Sequence, residues 1–153
     1  ESIVWAVLLG PVLSWLRTLI DMEQLPLIIG GLVESLDVHT KLAIAAGAGL
    51  YEEIIFRVIL FGGGAVILRG LLINLFNDRV ARMLGLVIAL FASSILFAVA
   101  HGSATDSSAL ETGPLVYRSL AGVAFGLLFW MRGIAVCVYT HATYDAILLL
   151  KFY

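Results

Sequence analysis

Apolar residues run along this chain in long, nearly uninterrupted segments instead of alternating with polar residues. A helix needs about 17–25 apolar residues to cross the hydrocarbon core of a bilayer. We therefore predict membrane spans at 3–20, 42–68, 80–100, 115–131 and 134–150. A shorter apolar segment at 25–36 predicts a half-span or an interfacial helix.

The same pattern decides the fold class. A membrane β-barrel would alternate apolar and polar positions over about ten residues per strand, and no segment of the sequence does so. We predict an all-α, polytopic transmembrane helical bundle with about five spans plus one short helix. The sequence has no internal repeat, so a single domain over 1–153 is expected, with the first span and short helix in 1–41 and the core in 42–150.

Composition places this domain in a membrane. Hydrophobic residues make up 61% of the chain and charged residues 13%, with a mean hydropathy of +1.06. Soluble domains carry about 25% charged residues, so too little polar surface remains here to cover a water-soluble particle. We expect an integral membrane protein that contacts membrane lipid. The formal net charge of −2 predicts no nucleic-acid partner.

The second predicted span carries charged residues near the middle of the membrane, where burying a charge costs free energy. Glu52, Glu53 and Arg57 lie near its midpoint, and each charged side chain at mid-bilayer costs about 2.5–3.5 kcal/mol on insertion scales. Glu53 and Arg57 are four positions apart and can pair on one helix face. Glu52 points about 100° away and is left without a local cation, as suits a general base. A purely structural Glu–Arg pair is the alternative.

Two histidines on other spans extend this set of titratable groups. His101 follows the third predicted span, and His141 lies within the last one, with Asp145 four positions later on the same face. One isolated buried histidine is more often a packed residue than a catalyst, but two on separate spans favour a shared site. His39 lies in a polar connection and is predicted to be solvated.

The small residues and the distribution of charge lead to two further predictions, one about helix contacts and one about orientation in the membrane. Gly122 with Gly126, and Ala43 with Gly47, have the small-xxx-small spacing of close helix contacts. The connection 69–82 carries three arginines against one aspartate, which predicts the cytoplasmic side.

Three short motifs give the chain a resemblance to a known family. Glu52-Glu53-Ile-Ile-Phe-Arg57, Phe97-Ala-Val-Ala-His101 and His141-Ala-Thr-Tyr-Asp145 resemble the motifs EExxxR, FxxxH and HxxxN/D. These mark the CAAX prenyl protease and bacteriocin-processing family of intramembrane proteases, also called the CPBP or Abi family. The resemblance covers 42–150, with the motifs in the family's order on separate hydrophobic segments.

The resemblance implies a membrane-embedded endopeptidase that forms no covalent intermediate. Glu52 and His101 would activate a water for attack on a peptide carbonyl, while Glu53 and Arg57 would support the site. No cofactor is implied. The substrate would be a peptide or protein associated with the membrane, with or without a lipid modification. The expected location is the cytoplasmic membrane of a prokaryote.

His141 and Asp145 would stabilise the oxyanion, and here the chain departs from the prenyl endopeptidases. Those enzymes carry Asn where this chain has Asp145, and an ionised Asp has no proton to donate. Either Asp145 carries a proton, or it orients His141, which then donates alone.

Other functions are also compatible with the sequence. His101, His141 and Glu52 could supply a His₂Glu zinc set, although the sequence contains no HExxH. Cys137, the only cysteine, lies four positions before His141 and could form a Cys–His nucleophile. A proton-coupled carrier or a non-catalytic immunity or scaffold protein would also place titratable groups inside the membrane.

Overall fold

The computed structural model describes residues 1–19, 35–103 and 112–150, and these form helices without any strand. The elements are α1 (Ser2–Leu19), α2 (Val38–Glu53), a π-helix (Ile54–Gly63), α3 (Gly64–Leu72), α4 (Asp78–Ser103), α5 (Thr112–Arg132) and α6 (Ile134–Leu149). The predicted all-α bundle is therefore confirmed. The short helix predicted at 25–36 lies outside the described residues, except for its last two positions, which form a turn.

Three helical segments are long and apolar enough to cross a membrane. They are Val38–Leu72, Asp78–His101 and Thr112–Arg132, and they correspond to the second, third and fourth predicted spans. The first and last predicted spans are also helical, with shorter apolar stretches at Ser2–Leu13 and Ile134–Leu149. Large apolar side chains point outward along all of these helices, as expected for surfaces that face lipid.

The Val38–Leu72 segment is one continuous helical rod made of α2, the π-helix and α3. It begins at Asp37, whose carboxylate accepts hydrogen bonds from the backbone N–H of His39 (2.9 Å) and Thr40 (3.1 Å) and from the Thr40 hydroxyl (2.6 Å). The bonds from Thr40 in particular lower the pKa of Asp37 below its usual value. This is an N-cap, which satisfies backbone donors that have no partner inside the helix.

In the packed bundle, α4 contacts both α3 and α5, while α2 contacts α6. At the α4–α5 crossing, a Cβ on Gly122 would lie 2.9 Å from the Ser94 Cα, so the two backbones touch there. This agrees with the predicted contact at Gly122 and Gly126.

The second small-residue prediction is wrong. Ala43 is exposed, and among the residues that the structure describes, none would come within 4 Å of a Cβ on Gly47. The close contact on α2 is at Gly49, where a Cβ would lie 2.8 Å from the Ala142 backbone nitrogen on α6. That contact brings the end of α2 against the part of α6 that carries His141 and Asp145.

Candidate active site

The bundle brings the predicted titratable residues of three separate helical segments to one place. Glu52 and Glu53 end α2, Arg57 follows in the first turn of the π-helix, His101 lies in the last turn of α4, and two residues come from α6. The members of this cluster are Glu52, Glu53, Arg57, His101, His141 and Asp145. His39 is exposed at the start of α2, outside the cluster.

The inner half of the cluster is a fully buried ion pair. Arg57 Nε lies 3.0 Å from Glu53 Oε2, and their side chains are 1% and 0% exposed. The guanidinium carbon lies 4.6 Å from the centroid of the Phe97 ring and 5.6 Å from that of Phe125. The aromatic faces add cation–π attraction to a pair that has lost its contact with water. The predicted pairing of Glu53 with Arg57 is confirmed.

Glu53 also holds a histidine. Its Oε1 lies 2.7 Å from His141 Nδ1. An ionised carboxylate can only accept, so Nδ1 of His141 carries a proton and donates it to Glu53. The His141 ring stacks on Phe125, with centroids 4.7 Å apart and an interplanar angle of 24°. Together these contacts fix both the tautomer and the plane of the imidazole, leaving Nε2 directed away from Glu53.

A further donor to Glu53 is the thiol of Cys137, a residue that the sequence analysis considered as a nucleophile paired with His141. Its Sγ lies 2.9 Å from Glu53 Oε2 and 3.3 Å from the Phe125 carbonyl oxygen, and the nearer carboxylate is the acceptor for its single proton. The thiol is fully buried and directed to the Glu53 carboxylate, a position that suits a structural role. The sequence signal that could have revealed it is its position one turn before His141 on the same helix.

The outer half of the cluster is partly open. Glu52 Oε2 lies 3.4 Å from His101 Nε2, and the two side chains are 20% and 34% exposed. His101 Nδ1 lies 2.9 Å from the Phe97 carbonyl oxygen. A carbonyl only accepts, so Nδ1 of His101 is the protonated nitrogen and donates to Phe97. In neutral His101, Nε2 therefore carries a lone pair that faces the Glu52 carboxylate.

His141 Nε2 lies between the two remaining carboxylates. It is 3.6 Å from Glu52 Oε2 and 3.5 Å from Asp145 Oδ2. Asp145 is partly exposed, like Glu52, so the contact faces the open side of the cluster. The imidazole thus has Glu53 at one nitrogen and two further carboxylates at the other.

The zinc alternative requires three ligand side chains that converge on one point. Within the described ranges, no group of three or more His, Cys, Asp or Glu side chains is placed to hold a metal ion. The His₂Glu zinc alternative therefore finds no support in the geometry, and it stays a prediction for metal analysis to test.

A comparison with models of known protein families gave a match. The model of the type II CAAX prenyl endopeptidase Rce1-like family matches residues 35–147. The chain belongs to this family. The matched range contains the whole cluster of six residues and most of the helical core. Neither a search of curated proteins nor a search of solved structures gave a match.

Membership agrees with the family resemblance found in the three motifs. With its apolar helices, it makes the chain an integral membrane protein from a family of membrane proteases. The partners of this family are peptide or protein substrates in a membrane setting.

Proposed function

We propose that this chain is an intramembrane endopeptidase that hydrolyses a peptide bond in a membrane-associated peptide or protein. The observation that carries the proposal is the 3.4 Å approach of Glu52 Oε2 and His101 Nε2 on the partly open side of the cluster. Both atoms are hydrogen-bond acceptors when His101 is neutral. Two adjacent acceptors attract a donor with two protons, and water is such a donor.

In the proposed reaction, Glu52 and His101 act as general bases on that water. As the water oxygen bonds to the substrate carbonyl carbon, one proton passes to the Glu52–His101 pair. The tetrahedral intermediate then collapses, the C–N bond breaks, and the same proton passes to the leaving amine nitrogen. The products are a new carboxyl group and a new amino group, and no covalent bond to the protein forms. Such general acid–base catalysis contributes about 10²–10⁴-fold to a rate.

His141 is proposed to stabilise the oxyanion. Its Nδ1 proton is committed to Glu53, so it can donate from Nε2 only when both nitrogens carry protons. Glu53 on one side, with Glu52 and Asp145 on the other, offsets the positive charge of that form. Charge-assisted donation of this kind is roughly twice as strong as a neutral hydrogen bond.

This arrangement favours the second of the two roles considered for Asp145. At 3.5 Å from His141 Nε2, the carboxylate is placed to orient the imidazole and balance its charge. On this proposal His141 donates alone, and Asp145 acts through it.

Glu53 and Arg57 are proposed to support the site without touching substrate. Their ion pair is buried below His141, where it fixes the imidazole and leaves Glu52 as the reactive carboxylate. This is the division that helical spacing predicts for the two adjacent glutamates.

The test is cleavage by the purified full chain in detergent. A farnesylated peptide ending in a CAAX sequence and an unbiased peptide library would be incubated with the protein, and cut sites read by mass spectrometry. We expect Glu52→Gln and His101→Asn each to lower the cleavage rate by about 10²-fold or more. His39→Asn is the matched control, because this histidine is exposed and outside the cluster, and it should cleave like the wild type.

Wild-type-like cleavage by either Glu52→Gln or His101→Asn would contradict the mechanism. Loss of cleavage on chelation, with metal recovered from the purified protein, would instead favour the zinc alternative. If a folded protein cleaves nothing in the library, the scaffold alternative is favoured.

A further inference from the structure

The end of the bundle opposite the candidate active site carries a compact group of arginines. Asp78 Oδ1 accepts from Arg69 Nη2 at 2.6 Å and from its Nε at 2.9 Å, while Oδ2 accepts from Arg82 Nη2 at 3.0 Å. All three side chains are about half exposed. One carboxylate thus holds two guanidinium groups side by side and neutralises only one of them. Arg79, exposed on the same turn, adds further positive charge.

An apolar groove begins at these arginines. It is a cavity of about 420 Å³ that has Arg69 and Arg82 at its mouth and Phe61, Leu86 and Trp130 among its walls. The same three hydrophobic residues also line an adjoining cavity of about 250 Å³, whose lining is entirely apolar. Because they share these three wall residues, we treat the two cavities as one groove, lined by the Val38–Leu72 rod, α4 and α5. We call it the arginine groove.

No residue that lines the arginine groove belongs to the six-residue cluster of the candidate active site. Asp78 begins α4 and His101 lies in its last turn, which puts them about 34 Å apart along the helix at about 1.5 Å per residue. Trp130, exposed at the end of α5 beside the groove, is the type of residue enriched where membrane and water meet. The arginines are therefore expected at the level of lipid headgroups and the apolar walls at the level of acyl chains.

We propose that the arginine groove binds an anionic phospholipid, with its phosphate at Arg69 and Arg82 and an acyl chain along the apolar walls. Arginine matches a phosphate because its planar fork can donate two parallel hydrogen bonds. The ion pairs with Asp78 fix the positions of the Arg69 and Arg82 guanidinium groups before the lipid binds. The lining of the smaller cavity is entirely apolar and offers water no hydrogen-bond partner, so hydrocarbon is the occupant that it suits. Basic pockets between membrane helices bind anionic headgroups in this way.

The first test measures headgroup selectivity. The full chain would be purified in detergent, stripped of lipid and titrated with phosphatidylglycerol or phosphatidylcholine of identical acyl chains, and bound lipid counted by native mass spectrometry. We expect tighter binding of phosphatidylglycerol. Arg82→Gln should weaken phosphatidylglycerol binding about fivefold, the factor for one basic side chain near an anionic surface, and leave phosphatidylcholine binding unchanged.

The matched control for charge is Arg132→Gln. Arg132 ends α5 at the same end of the bundle, where it is paired with Glu1 outside the groove. Because this variant makes the same charge change, it separates a specific contact from general attraction to the lipid. We expect its binding of phosphatidylglycerol to equal that of the wild type.

The second test fills the groove. Val66 lines it and the adjacent Ile67 does not, although both are exposed on α3. Val66→Trp should lower the affinity for both lipids, while Ile67→Trp should change neither. Thermal unfolding in detergent checks that the two variants are equally folded.

Three outcomes would overturn the proposal. Equal affinity for the two lipids would mean that the groove selects no headgroup. Binding of glycerol phosphate as tightly as phosphatidylglycerol would mean that only an anion is recognised. Displacement of the lipid by farnesol would mean that the groove takes a prenyl chain instead.

Discussion

The candidate site depends on the Glu53 side chain, although Glu53 takes no direct part in the proposed hydrolysis. Its carboxylate is fully buried and contacts Arg57, Cys137 and His141. A buried charge is tolerated only when its partners replace the lost water, and here one cation and two further donors do so. Glu52, one position earlier, keeps access to the open side. The same residue type therefore has two roles because neighbouring positions point in different directions.

Removing Arg57 should destabilise the protein as well as inactivate it. Arg57→Met would leave the Glu53 charge buried without its cation, which costs about 3–5 kcal/mol of unfolding free energy. Thermal unfolding in detergent, followed by tryptophan fluorescence, measures the loss. Arg82→Gln is the control, because it breaks an exposed ion pair and should unfold nearly like the wild type.

The double variant Glu53→Gln/Arg57→Met separates stability from activity. Because it also removes the stranded charge, it should recover part of the lost stability, yet His141 would lose its ionic partner and cleavage should stay low. Equal stability of the single and double variants would argue against a buried charge at Glu53.

Cys137 offers a direct test of the cysteine-peptidase alternative. Cys137→Ser keeps a donor near Glu53 and should retain cleavage, whereas a nucleophilic cysteine would lose nearly all activity. Cys137→Ala removes the donor to the buried carboxylate and should cost about 1–3 kcal/mol of unfolding free energy. Cleavage rates and melting temperatures of the two variants, compared side by side, decide between the structural and the nucleophilic role.

Among the helices, the crossings are set by which small residues face a neighbour. Gly122 lies against the Ser94 backbone and Gly49 against Ala142, whereas Gly47 meets no neighbouring helix in the described part of the chain. Small-xxx-small spacing shows that one face of a helix carries small side chains, but it does not show whether another helix packs against that face. This is why one of the two predicted contacts was right and the other wrong.

The two glycines of α5 should respond differently to alanine. At Gly122 the new Cβ would collide with the Ser94 backbone, which cannot move aside locally, and we expect a loss of about 1–3 kcal/mol. At Gly126 the nearest atom is the end of the flexible Leu90 side chain, which can rotate away. Melting temperatures of Gly122→Ala and Gly126→Ala measure the contrast, and equal melting temperatures would mean that the α4–α5 crossing is looser than described.

The π-helix is the element that the sequence did not predict. It spans Ile54–Gly63, immediately after the two glutamates, and contains Arg57. Such wide turns are rare and frequently occur at functional sites. The apolar pattern of this segment is equally compatible with an ordinary α-helix, so hydrophobicity alone could not distinguish the two.

In the whole molecule, α1 extends the core beyond the range that the family model matches. It packs on α6, where Thr140 Oγ1 approaches the Ser2 carbonyl at 3.4 Å. Its Trp5 and Leu9 pack against the buried cluster that includes Phe125 and Cys137. The first helix therefore packs against the buried residues next to the site, Phe125 and Cys137.

This packing predicts that α1 supports activity through stability. Ala6 is fully buried on α1, whereas Val7 is exposed. Ala6→Phe should lower the melting temperature, because overpacking of a filled interior costs about 1–3 kcal/mol, and Val7→Phe should not. If the two variants melt and cleave alike, α1 is not packed as described.

Local pattern was enough to predict the membrane location, the all-α class and the pairing of Glu53 with Arg57. These features depend on the length of apolar runs and on helical spacing, which a few neighbouring residues define. The contacts of Glu53 with Cys137 and His141 instead join positions 84 and 88 residues apart. They exist because α2 and α6 meet at Gly49 and Ala142. That approach depends on the packing of all the helices together, which no single segment encodes.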